Sequence, residues 1–143
     1  MRSKRYIKPF EDTLGSMLDG SQSVYTLRVA SGERIVLNSF LRDHLILGVA
    51  IRRETTLRLL PQAFRASNVE GRVEFGKFAV SQEGLSKRSK MLPWCDVGHV
   101  VVQNGCVLVR RRNGRLVWFG VRMKKVPNLY VYLAMVERLR SLQ

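Results

Sequence analysis

Acidic residues are scarce in this sequence: 11 Asp and Glu stand against 25 Lys and Arg in 143 residues, a formal charge of +14. Such an excess implies long-range attraction to polyanions, whether nucleic acid, an anionic membrane or an acidic protein, and is silent on fold. The shortage is uneven, since 14 basic residues meet 4 acidic ones from Gly71 onward, against 11 and 7 before it. Cysteine is nearly absent. Cys95 and Cys106 are the only two; they form no CxxC, and two thiols alone cannot build a tetrahedral zinc site. A disulfide between them is possible but not required, and two free thiols are the simpler expectation. No apolar run reaches the roughly 18–20 residues of a spanning helix. The basic stretch 1–10 lacks the apolar segment of a signal peptide. A soluble, cytoplasmic protein is therefore expected.

Enzyme signatures are also missing. The chain contains no GxGxxG, Walker A, HExxH or GxSxG motif. Cys95, Asp96 and His99 lie close in sequence. Strand alternation, however, separates neighbours onto opposite faces, and no third orienting group is evident. The sequence thus points to no enzyme: no catalytic residue, metal, cofactor or small-molecule substrate. Zinc-finger and aromatic RNA-binding signatures are absent too, so no sequence-specific nucleic-acid reader is indicated.

What is present describes a packed α+β protein in two parts. Hydrophobic residues make up 45% and charged residues 25%, enough for a core. The first part, residues 1–70, reads as strands at 4–10, 24–30 and 34–37, with a Gly/Ser/Asp-rich loop over 11–23. A helix over 40–60 follows, with Ser39 as its cap and Pro61 ending or kinking it.

The second part, residues 71–143, reads as short strands at about 72–75, 78–81, 84–86, 99–102, 106–111 and 115–123. Lys87 to Lys90 form a basic turn. Asn104-Gly105 and Asn113-Gly114 between apolar runs are type I′ hairpin signals, because both central residues must tolerate positive φ. A helix over 127–141 closes the chain, with Pro127 in its first turn and Leu129, Tyr132, Leu133, Val136 and Leu139 as an apolar stripe.

The residues Phe75-Gly76, Val80 to Gly84 (VSQEG), Leu92-Pro93-Trp94, Val97, Val107 to Arg112 (VLVRRR), Trp118 and Val126-Pro127-Asn128 set a pattern. With Tyr25 to Phe40 and Leu59-Leu60-Pro61 upstream, the chain resembles a bacterial family of unknown function with tandem PH-like domains. That resemblance implies an antiparallel β-meander or partly open barrel capped by a C-terminal helix. Full members of that family resemble two such units in a row; this chain departs from them, its first unit keeping three strands and the closing helix but lacking the opening strands. A half-unit leaves sheet edges and apolar faces uncovered, so a partner protein or a second copy is expected to cover them.

Two sets of residues are candidates for binding. Lys87, Arg88, Lys90, Arg110, Arg111, Arg112, Arg115, Arg122, Lys124 and Lys125 cluster at predicted turns and could take phosphates or an acidic partner. Solvated hairpin tips are the plain alternative. On the last strand, Val117, Phe119, Val121 and Met123 are expected to face the core. The opposite face, with Leu116 and Trp118, reads either as a protein interface or as a second buried face. The leading expectation is a non-enzymatic interaction or scaffold module, a subunit or accessory of a larger assembly. Its rival is electrostatic binding to nucleic acid or anionic lipid headgroups.

Overall fold

The computed structural model describes residues 11–14, 25–28, 31–37 and 42–143. These residues form an α+β protein of three antiparallel sheets and two helices, the second helix at the C-terminus.

β1 (Glu11–Leu14), β2 (Tyr25–Arg28) and β3 (Arg34–Leu37) pair in that order, with Glu11 opposite Arg28 and Tyr25 opposite Leu37. The strand expected over 4–10 and the Ser39 cap lie outside the described residues. β1 falls instead where the sequence reads as loop. Its residues, EDTL, have weak strand preference, and β2 imposes the extended form through its ladder.

α1 (His44–Glu70) corrects the expected helix over 40–60: it runs straight through Pro61 for nine further residues. Pro61 removes the donor for the Leu57 carbonyl. Leu57 is 60% exposed, so water can take that carbonyl. Leu59, Ala63 and Ala66 meanwhile recur at helical spacing and stay buried across the break. Packing therefore outweighs the lost bond. Gly71, at φ 80°, ends the helix by donating its N–H to the Ser67 carbonyl.

Beyond Gly71, β4 (Arg72–Phe75), β5 (Phe78–Ser81), β6 (Gly84–Lys87) and β7 (Lys90–Pro93) make a four-stranded meander. The sequence reading missed β7. Lys87 and Lys90 are the last pair of a hairpin, so the turn shrinks to Arg88 and Ser89, with Arg88 left-handed at φ 53°. β8 (Val97–Gln103), β9 (Cys106–Arg111) and β10 (Val117–Arg122) form the third sheet, in the order β10-β9-β8. Among the described strands no ladder joins the sheets into a closed barrel.

The Asn104-Gly105 turn has φ of 51° and 70° at its two residues, as a type I′ turn requires. Asn113 and Gly114 behave differently. Neither has positive φ; Gly114 N–H instead donates to the Arg111 carbonyl at 3.3 Å. The connection is longer than a two-residue hairpin, and β10 starts at Val117, not at 115.

α2 (Leu129–Ser141) lies across both C-terminal sheets and against α1. Its buried stripe contains Leu129, Tyr132, Val136 and Leu139. Tyr132 stacks on Phe78 at 5.2 Å and meets Phe75 edge-on at 5.5 Å, while Phe78 meets Phe119 at 4.8 Å. Offset and edge-to-face rings add to the burial term. Trp94 anchors the corner between β7 and β8, its Nε1–H donating to the Ser81 carbonyl at 3.0 Å. Leu27, Leu59, Ala63 and Ala66 from the front of the chain belong to this same core.

Candidate functional site

The described strands sort the ten candidate cations into two groups. The first collects where three connections meet. A Cβ on Gly76 would strike the Lys125 carbonyl, so the β4–β5 turn rests on the segment Met123 to Lys125. Met123 N–H donates to the Gly105 carbonyl at 2.9 Å, which brings in the β8–β9 turn. This end holds Lys87, Arg88, Lys90, Arg122, Lys124 and Lys125, together with Lys77, a residue that sequence reasoning missed. β1, with Glu11 and Asp12 in its sequence, runs beside Met123 to Lys125.

Within this group Lys87 is the most constrained. Its ammonium sits 3.5 Å from the centroid of the Phe119 ring, a cation–π arrangement. Partial burial first, then the charges of Arg88, Lys90 and Lys77, hold it below the ordinary lysine range. Arg88, Lys90, Arg122, Lys124 and Lys125 are exposed.

The second group lies at the other end of the third sheet. β8 has 7 residues, which at about 3.3 Å each separates its ends by roughly 20 Å. Here Arg110 is half-buried, its Nη1 donating to the Arg115 carbonyl at 3.4 Å. Arg111, Arg112 and Arg115 are exposed. The Arg112 N–H donates to the Asp96 carbonyl at 2.8 Å, which ties this loop to the start of β8. Arg140 of α2 lines the same groove as Arg112, and Arg138 lies 5.2 Å over the Phe64 ring. Both α2 arginines sit in its last turn, where they also offset the negative helix end. Neither was singled out from the sequence, because a groove between a strand and a helix has no sequence signature.

The apolar candidates divide as well. Leu116 is 84% exposed. Trp118 is half-buried against the core, 6.4 Å from Phe119. A bulge between Val117 and Phe119 breaks the β9–β10 register; Val117, expected in the core, is instead exposed. Phe119 and Val121, opposite the buried Val109 and Val107, keep the core face.

Cys95 and Cys106 are free, the first exposed. Cys95 Sγ lies 3.9 Å from Asp96 Oδ1; His99 is exposed on β8. Among the described residues no helix is long and apolar enough to cross a membrane.

An antiparallel α+β scaffold with a C-terminal helix and two separated cationic ends is the class these features define. The chain belongs to a family of unknown function, DUF6585, whose model matches residues 3–143. No curated protein and no solved structure matches it.

Proposed function

We propose that this is a non-enzymatic, cytoplasmic interaction module built from PH-like units, a bacterial scaffold subunit whose role is to bind a partner protein or a second copy. Four strands, three strands and a closing helix over residues 72–143 fit one such unit. β1, β2, β3 and α1 repeat its second half: a three-stranded antiparallel sheet followed by a helix. Two free thiols fit a reducing compartment.

One observation carries the binding reading. The front of the chain exposes Ile35, Val36, Ile46, Leu47, Val49 and Leu57, each at 41–71%. Ile35 and Val36 are adjacent on a strand and so point to opposite faces. Apolar exposure on both faces of an outer strand and along one helix marks a surface built to be covered. Light scattering after size exclusion tests this: the species should exceed the 16.4 kDa of one chain. Ile46→Glu with Leu57→Glu should return it to that mass. A wild-type chain that stays monomeric at all concentrations and takes no partner would overturn the reading.

A second reading, polyanion binding, is favoured by the gathering of Lys77, Arg88 and Lys90 near enough to Lys87 for their charges to bear on it. Its signature is affinity that falls steeply with salt, as counterions are released from phosphates. Duplex DNA, single strands and anionic vesicles assayed in parallel separate its forms. Arg110→Ala with Arg111→Ala and Arg112→Ala separates the contribution of the second cationic group.

A further inference from the structure

β8 is the outer strand of its sheet, and its free edge borders a groove. In a two-residue hairpin the pair flanking the turn exchanges both ladder bonds. Here that pair is Gln103 and Cys106. Alternation then makes Val101 bond inward to Leu108 and leaves the N–H and C=O of Val100 and Val102 facing outward. Those groups meet no strand among the described residues.

Alongside this edge, a cavity of about 710 Å³ runs between β8 and α2. Val100, Leu133 and Val136 line it, and toward the start of β8 and the last turn of α2 it holds Arg112, Glu137, Arg140 and Ser141. The Arg112 and Arg140 guanidiniums make no ion pair with any described residue. Two cations against one carboxylate leave that end positive. A free edge, a trough with three aliphatic side chains and a cationic stop together match one kind of ligand.

We propose that an extended acidic peptide segment of a partner protein adds to β8 as an antiparallel strand, its apolar side chains in the trough and its C-terminal acidic residues on Arg112 and Arg140. The polarity follows from the topology. β8 begins beside Arg112 and runs away from it, so an antiparallel strand arrives at the arginines with its C-terminal end. Main-chain bonds to Val100 and Val102 supply register, and the trough supplies side-chain selectivity. A guanidinium fork donates two parallel N–H bonds to one carboxylate. Nucleic acid suits the place less, since phosphates make no use of alternating edge donors and acceptors. A second copy suits this site less too, because the chain's one pair of adjoining acidic residues, Glu11-Asp12, opens its strand instead of closing it.

The inference rests on the partner-binding reading and specifies its site. A library of ten-residue peptides selected on the full chain tests it, with the enriched peptides measured by fluorescence anisotropy and amide chemical shifts. Enrichment of Asp and Glu at the C-terminal end, after alternating apolar residues, is expected. So are amide shifts at Val100 and Val102. Val102→Pro removes an outward N–H and no ladder bond, a change edge strands tolerate. It should keep the wild-type melting temperature and weaken binding at least about tenfold, as should Arg112→Ser with Arg140→Ser. Peptides acidic at the N-terminal end, binding indifferent to these variants, or no enrichment would each overturn the proposal. If self-association through the front surface persists in that last case, only this site falls; if it is lost too, the partner-binding reading falls with it.

Discussion

Arg52 and Tyr130 join α1 to α2 twice over: Arg52 Nη1 donates to the Tyr130 hydroxyl at 2.7 Å, and the guanidinium lies 4.1 Å from the centroid of that same ring. Both residues are half-buried, so the pair is only partly screened by solvent. Through it the front helix is attached to the C-terminal unit, beside the shared core of Leu59, Ala63 and Ala66.

A double-mutant cycle on this pair should give a coupling energy on the order of 1 kcal/mol. Tyr130→Phe keeps the ring and loses the acceptor, so it should recover part of that coupling with Arg52. Tyr130→Ala should lose all of it. Chemical denaturation of wild type, the three single variants and the two doubles measures both.

Tyr132 should be improved by losing its hydroxyl. Its side chain is fully buried, and its hydroxyl has no hydrogen-bond partner among the described residues. An unsatisfied buried polar group costs about 1–3 kcal/mol, so Tyr132→Phe should raise stability by about 1 kcal/mol and retain both ring contacts. Tyr132→Ala should cost roughly 3–5 kcal/mol through the cavity it leaves.

The same residue sets an alkaline limit. Burial pushes the Tyr132 hydroxyl far above its ordinary range. The unfolded chain therefore releases this proton first, near pH 10, and stability falls as pH rises further. Thermal melts should show a steeper alkaline loss in wild type than in Tyr132→Phe.

Lys87 works in the opposite direction. Its folded pKa lies below the ordinary lysine range, so the folded state gives up the proton before the unfolded state does. Stability gained from this group grows as pH climbs from the lowered value to the ordinary one. Carbon-labelled lysine side chains followed by NMR should show Lys87 titrating below the ordinary lysine range. Arg88→Ala with Lys90→Ala should move it up only in part, because desolvation is the larger cause.

Two glycines make a steric contrast. A Cβ on Gly84 would collide with the Leu92 carbonyl, which belongs to the neighbouring backbone. Gly84→Ala should cost about 2–3 kcal/mol or prevent folding. Gly105 has open space around it but φ of 70°, so Gly105→Ala should cost only about 1 kcal/mol. Leu116→Asp, on a side chain that touches little, should stay within about 0.5 kcal/mol of wild type.

The α+β class, the Asn104-Gly105 turn and the stripe of α2 are all legible along the chain, because each follows from local period and turn chemistry. Asn113-Gly114 shows the limit of that logic. The same dipeptide yields a different connection, because the register of β10 shifts at its bulge. The run of basic residues was legible as composition and not as a site. Nothing local says that Lys77 and Lys125 share an end while Arg112 and Arg140 share a groove.

By itself the sequence determined which stretches alternate, which stretch carries a helical stripe and how strongly the surface is charged. These properties depend on neighbours within a few residues. The tertiary structure decided that α1 continues past Pro61, that Val117 faces out and that the outer edge of β8 lies beside a trough lined by Val100, Leu133 and Val136 together with Arg112 and Arg140. Each of these depends on how distant elements pack: burial of Ala63 and Ala66 outweighs a missing backbone bond, and the crossing of a strand by a helix creates a surface that neither holds alone.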